Sequence, residues 1–300
     1  MIKNKPYFFI QVLLCWLIST ATCGAITMQK KAGALVVEKA TTAEVEDLFK
    51  KYDFTDFSQP MGEFPRIFLK RLPTDWADVE DSEEKHKTFI RILLPLALKV
   101  NESILAQRQE IEQLKQKFLQ DRRLSAQERQ TLENYARTYD VFSPNESENR
   151  PIILLNALLD KVDIVPPTIM VVTAAIYTDW GKSRLALDYY DLYRSEEWYG
   201  DKGVKPEDDP SAQYRYKIYD SLEESIAEKA LKINAHINYD YLRVARKIGR
   251  SMGYPPYSPQ LAAKMLYDSN LQNVAGLIDY TFSFYHLTQT DFKPQLRDIP

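Results

Sequence analysis

Carboxylates and phenols are abundant in this 300-residue sequence, which holds 42 acidic residues and 19 tyrosines. The densest acidic stretch covers residues 195–213, where Glu196, Glu197, Asp201, Glu207, Asp208 and Asp209 are interrupted by Gly and Pro. Carboxyl groups held in a cleft do general acid–base work, and a pair of them cleaves glycosidic bonds. Other chemistries lack their residues. His86, His236 and His286 are far apart, and no pair has the spacing of zinc ligands. There is no Gly-x-Ser-x-Gly elbow and no phosphate-cradling glycine loop. No cofactor and no metal is therefore expected. A net charge of −3 gives no basic footprint for nucleic acid.

The elements that must position these groups read as helices. Pro166-Pro167 opens the most informative one, over residues 168–179, since proline suits a first helical turn. Ile169, Met170, Val171, Val172, Ala174, Ala175 and Ile176 leave it almost no polar face, the pattern of a helix buried on all sides. Its end, Tyr177-Thr178-Asp179-Trp180-Gly181, turns polar and aromatic. That change fits a cleft at the C-terminal end of the helix. It also fits a capped core helix with no site, and the residues alone leave both open.

Upstream, residues 26–63 carry many charges and weak periodicity, and read as an extended, loosely attached segment. A connector bracketed by Pro65 and Pro73 leads to a long helix over residues 83–120. Its apolar stripe includes Phe89, Ile92, Leu96, Val100, Ile104, Ile111 and Phe118, and Pro95 is expected to kink or split it. Ser125 and Glu128 form a capping box for a second helix whose inner face is Leu132, Tyr135, Ala136 and Tyr139. Residues 64–143 thus read as a helical hairpin. The polar break at 143–151 is the best domain boundary, and residues 152–288 form a second, mainly helical domain with a short strand near 214–219. That domain has further helices over 152–162, 221–236 and 240–250, one beginning at Ser258-Pro259, and a last one over 270–287. Residues 289–300 read as a tail.

Residues 1–25 look like a signal peptide. Lys3 and Lys5 precede an apolar run over 7–18, and small residues follow at Ser19, Thr20, Ala21, Gly24 and Ala25. Cleavage between 21 and 25 makes the protein periplasmic or secreted, and removes two lysines and no acids, and both cysteines if Cys23 is lost. A lipoprotein anchored through Cys23 is the alternative. No later run approaches 18 apolar residues, so no stable membrane span is expected. The Asn-x-Ser matches at Asn101 and Asn145 read as accidental.

Five stretches occur in a telling order and spacing: Phe64 to Leu69 with Leu72-Pro73-Thr74-Asp75; Phe89 to Leu96 with Asn101 to Leu105; Leu124 to Tyr139; Val162 to Pro166 followed by Ala174-Ala175 and Trp180 to Ala186; and Asn234 to Tyr239 with Tyr241-Leu242-Arg243. Over about residues 64–288 they resemble the bacterial Bax-type glucosaminidase-domain proteins, which belong with the peptidoglycan N-acetylglucosaminidases. The resemblance implies a mainly α, lysozyme-like glucosaminidase domain with a small β element, preceded by the helical hairpin. It implies peptidoglycan glycan strands as the partner.

The active-site helix of that family reads Ala-Ala-x-Glu-Ser-Gly-Trp-Gly-x-Ser. Here Ala174-Ala175 and Trp180-Gly181 fix the register, and Tyr177 stands where the family has its catalytic Glu. The family's Asn-Asn-Leu-Phe-Gly reads Tyr190-Asp191-Leu192-Tyr193-Arg194. Its Gly-Tyr-Ser reads Leu266-Tyr267-Asp268, which keeps the tyrosine, and a second tyrosine seven residues on is Val274. The resemblance therefore puts Tyr177 and Tyr267 at the catalytic centre, and Trp180 and Tyr193 against substrate. Trp180 is otherwise core packing, and Tyr267 otherwise a helix-end core residue. His236 reads as a structural hydrogen-bonding residue.

A phenol with a reference pKa of about 10 donates a hydrogen bond but is a poor acid for protonating a glycosidic oxygen. Asp179 lies about 200° around the helix from Tyr177 unless the helix has ended there. Glu196, Glu197 or Asp188 could reach in from the following segment. Three functions follow: a degenerate glucosaminidase fold that binds wall glycan or acts as a scaffold, an active hydrolase with a relocated acid, or a structural envelope protein whose cleft is unused. The altered motifs favour an impaired protein.

Overall fold

A computed structural model describes residues 26–55, 63–143, 149–253 and 295–300. It is mainly α with small β elements, as expected. Residues 26–63 differ from expectation. Strands β1 (Thr27–Lys31) and β2 (Ala34–Lys39) form an antiparallel hairpin. Ala32 and Gly33 both take positive φ at its two-residue turn, the geometry that matches strand twist. Helix α1 (Thr42–Lys51) follows behind a Thr41–Glu44 capping box and buries Val45, Leu48 and Phe49. A segment that reads as loose on charge alone is thus anchored by alternate apolar residues. β3 (Glu63–Pro65) and β4 (Ile67–Leu69) come next, and β4 pairs in parallel with β2.

Helix α2 (Glu83–Asp121) matches its expected span and runs through Pro95 without dividing. Every residue from Thr88 to Leu98 is buried, so this half is surrounded by protein and only the later turns show a single stripe. Packing on all sides holds the helix against the roughly 3 kcal/mol penalty of an interior proline. Helix α3 (Ala126–Thr138) starts at the expected capping box. Helix α4 (Arg150–Lys161) packs on both α2 and α3. Of the expected boundary, residues 144–148 lie outside the described residues. On either side of it, Leu132, Ala136, Leu154 and Leu155 belong to one apolar core.

Helix α5 (Pro167–Thr178) is the buried helix read from the sequence: all but Ile176 and Tyr177 are buried, and it packs on α2. Helix α6 (Arg184–Tyr189) leads to β5 (Glu196–Glu197) and β6 (Arg215–Tyr216), an antiparallel pair extended by a bridge from Val204 to Tyr216. Helices α7 (Leu222–Ala235) and α8 (Asp240–Ser251) are the last α-helices among the described residues. Of the expected tail, residues 295–300 are described: β7 (Gln295–Arg297) pairs in parallel with β3, and Ile299 is buried. Residues 1–25 and the helices expected from Ser258 onward, including 270–287, lie outside the described residues.

A buried polar hub ties the second half together. The Asp163 carboxylate is bound by Arg250 and flanked by Arg246 and Arg108, at 3.7 and 3.8 Å. Asn234 donates to the Asp163 carbonyl and accepts from Arg246. Asn101 exchanges hydrogen bonds with the Val165 backbone, so its amide is committed and the glycosylation match there is accidental.

Candidate functional site

The chain leaves α5 through three successive left-handed residues, Asp179 (φ 49°), Trp180 (φ 57°) and Gly181 (φ 83°). Thr178 fixes this reversal. Its hydroxyl donates to the Ala174 carbonyl at 2.7 Å and accepts from the Gly181 N–H at 2.8 Å. Ser183 then caps α6. The turn opens a pocket of about 260 Å³ at the end of α5, with Tyr177 in its wall. Ser183, Arg184 and Leu185 line one side, Arg194 and Tyr216 another, and Lys205 to Asp208 the rim. A cleft therefore does stand at the C-terminal end of the buried helix.

Burial pushes the Tyr177 phenol above its ordinary pKa, and the nearby Arg194 guanidinium partly offsets that. The group is a neutral hydroxyl at physiological pH. Behind it, the Lys229 ammonium of α7 sits 5.7 Å from the Tyr177 ring centre and 5.4 Å from that of Tyr193. Burial lowers this lysine to about 8. Arg194 donates to the Tyr216 hydroxyl at 2.9 Å, with its guanidinium 5.5 Å from the same ring's centre. Arg184 pairs with Glu207 at 2.7 Å, and Lys205 donates to the Ala212 carbonyl.

The other site residues read from the sequence are distributed differently. Trp180 does not line the pocket: its ring stacks on His86 at 3.8 Å and its carbonyl accepts from Trp76 Nε1 at 3.0 Å. Tyr193 is buried, and its hydroxyl donates to the Met170 carbonyl at 3.0 Å. Glu196 accepts from the Trp198 indole at 3.0 Å, and Glu197 lies 3.8 Å from Lys217, so neither lines the pocket. Asp188 does not line it either. Asp179 follows the last helical residue and pairs with Lys182 at 3.6 Å. His236 accepts from the Asn238 N–H at 3.3 Å, a structural capping contact. Tyr267 lies outside the described residues, as does Val274.

The carboxylates that reach the pocket are Glu207 and Asp208, both exposed. They belong to the acidic stretch but were not separable within it by sequence. Beside them Trp198, Tyr214 and Tyr216 form a chain of ring contacts, at 5.1 and 5.4 Å. Trp198 is half exposed. Among the described residues no group of three or more His, Cys, Asp or Glu is placed to hold a metal ion. No helix there is long and apolar enough to cross a membrane.

Comparison with known proteins gives one relationship to report. The chain is 30% identical over 164 residues to "Protein bax" of Escherichia coli (strain K12), covering 54% of this chain and 55% of that protein. It thus spans about half the length of the curated relative it matches. No family model and no solved structure matches.

Asp179 and Arg194 both take positive φ, 49° and 52°. Left-handed backbone is natural for glycine and costs other residues about 1–2 kcal/mol.

Proposed function

We propose that this is an exported, Bax-like protein of the cell wall, with a lysozyme-like glucosaminidase fold, that binds peptidoglycan glycan strands and hydrolyses them weakly or not at all. The observation that carries this reading is Tyr177. A neutral phenol occupies the pocket wall at the position of the family's catalytic Glu, with a lysine behind it instead of a second acid. General-acid assistance is worth about 10²–10⁴-fold, and a buried phenol does not supply it at neutral pH. What remains suits binding. Ser183, Tyr177 and Tyr216 bring hydroxyls to the pocket, and Trp198 and Tyr214 extend an aromatic surface beside it. The run at residues 7–18 behind Lys3 and Lys5 supports export.

The test is a co-sedimentation assay with purified peptidoglycan, paired with reducing-sugar release from the same material. Binding with little or no release is expected. Failure to bind sinks the reading.

A second reading, an active β-N-acetylglucosaminidase with a relocated acid, is favoured by one observation: Glu207 and Asp208 stand on the pocket rim. Robust release by the unmodified protein, abolished in Glu207→Gln or Asp208→Asn, selects it.

A further inference from the structure

We propose that Arg194 makes this pocket a carboxylate-binding site, so that the saccharide it holds is an acidic one. The inference rests on the glycan-binding reading and narrows its ligand.

The cations around the pocket are not equivalent. Arg184 is neutralised by Glu207 at 2.7 Å. Lys205 meets a backbone carbonyl, that of Ala212. Arg194 spends one donor on the Tyr216 hydroxyl and rests over that ring, and among the described residues no carboxylate lies within ion-pairing distance of it. Asp208 shares the pocket and attracts it from beyond contact. A guanidinium offers five N–H donors in a planar fork that matches a carboxylate two-to-two. The hydrogen bond and the cation–π contact with Tyr216 hold the guanidinium in place before any ligand arrives.

The backbone holds Arg194 in place at a cost. The Asp191 carboxylate accepts from the N–H groups on either side, Tyr193 at 3.0 Å and Ser195 at 2.8 Å. Between them Arg194 has φ 52°, a conformation in which glycine is at ease and arginine is not. The pocket is small, about 260 Å³. Sites enclosing drug-sized ligands run to roughly 300–1,000 Å³, so this one takes a single ring or substituent.

A wall glycan offers carboxylates from two sources. The lactyl group of the muramyl sugar carries a free carboxylate once the stem peptide is removed, whereas intact material carries carboxylates on the peptide. The test compares three preparations against the purified full chain: amidase-stripped glycan strands, the same strands with carboxylates converted to neutral amides, and intact peptidoglycan. Stripped strands are expected to bind roughly ten- to a hundredfold more tightly than amidated ones, the range of a charge-assisted contact. Arg194→Gly, which suits the local backbone, should fold normally by circular dichroism and lose that difference. Arg194→Lys should keep part of it. Preference for stripped strands assigns the lactyl carboxylate. Preference for intact material, lost in Arg194→Gly, assigns a peptide carboxylate. Equal binding of all three preparations overturns the carboxylate inference and leaves glycan binding standing. No binding to any preparation overturns both.

Discussion

The Lys229 ammonium lies 5.7 Å from the centre of the Tyr177 ring, so the phenol in the pocket wall has a cation as its neighbour. A general acid needs a raised pKa, and a nearby ammonium lowers that of a carboxyl. Tyr177→Glu alone would therefore create an ion pair in place of a proton donor, and no gain in reducing-sugar release from peptidoglycan is expected. Tyr177→Glu with Lys229→Met leaves the carboxyl half-buried without that cation. The double variant should release sugar at least about tenfold faster than the single one, the lower part of the general-acid range. Equal rates for the two would show that Lys229 does not control the acidity of this position.

Lys229 also predicts an alkaline trend in stability. Its folded pKa is about 8, below the ordinary value of 10.5, because burial disfavours the charge. The unfolded chain then binds more protons between these values, and stability rises with pH through that window. Above about pH 10 the buried phenols reverse the trend. Tyr139, pushed up to about 12, and Tyr177, also raised, hold protons that the unfolded chain gives up. Lys229→Met should flatten the rise between pH 8 and 10 in urea titrations. It should also add on the order of 2 kcal/mol at pH 7, where the native lysine is charged at a desolvation cost.

Local signals made the helices legible. Ser125 and Glu128 announced α3, Pro166-Pro167 announced α5, and a run from Ile169 to Ile176 that is apolar except for Thr173 marked α5 as buried. Tyr177 could be singled out because its neighbours fix the register. Which acids share its pocket could not be read. Glu196 and Glu207 are equally acidic in sequence, and only the pairing of β5 with β6 and the Val204–Tyr216 bridge bring residues 205–208 to the rim. Lys229 is more than fifty residues from Tyr177 and meets it through the packing of α7 on α5. The parallel pairing of β7 with β3 joins strands more than two hundred residues apart, and Gln295–Arg297 carries no pattern that announces a partner.

Gly181 should be intolerant of any side chain. Its φ is 83°, and a Cβ there would lie 2.7 Å from Trp76 Nε1, 2.8 Å from Leu72 Cδ1 and 3.0 Å from Phe89 Cε2. The first two neighbours are packed core groups with little room to retreat. Gly181→Ala combines left-handed strain with overpacking, about 2–4 kcal/mol in all. Chemical denaturation should show this loss. Asp179→Ala, with the same kind of φ on an exposed residue, should cost much less.

The last prediction concerns Asp163, which is 3% exposed with three arginines around it. Arg246 is itself buried and donates to the carbonyls of Lys161, Asp163 and Ile164 as well as to Asn234. Replacing the carboxylate by an amide in Asp163→Asn keeps the shape but removes the negative charge that the buried Arg246 guanidinium faces. Removing one partner of a buried ionic cluster costs about 3–5 kcal/mol. Urea denaturation at pH 7 should show a loss of that size. The arginines hold the Asp163 carboxyl below the ordinary 3.8 although burial alone would raise it. The unfolded carboxyl therefore protonates first as pH falls. The stabilisation is present above pH 4 and is lost progressively below it. The native chain should accordingly lose stability on acidification from pH 4 downward, and Asp163→Asn should show a smaller loss over that interval. If the variant is as stable as the native chain at pH 7, the hub contributes through its backbone hydrogen bonds alone and the ionic account of it is wrong.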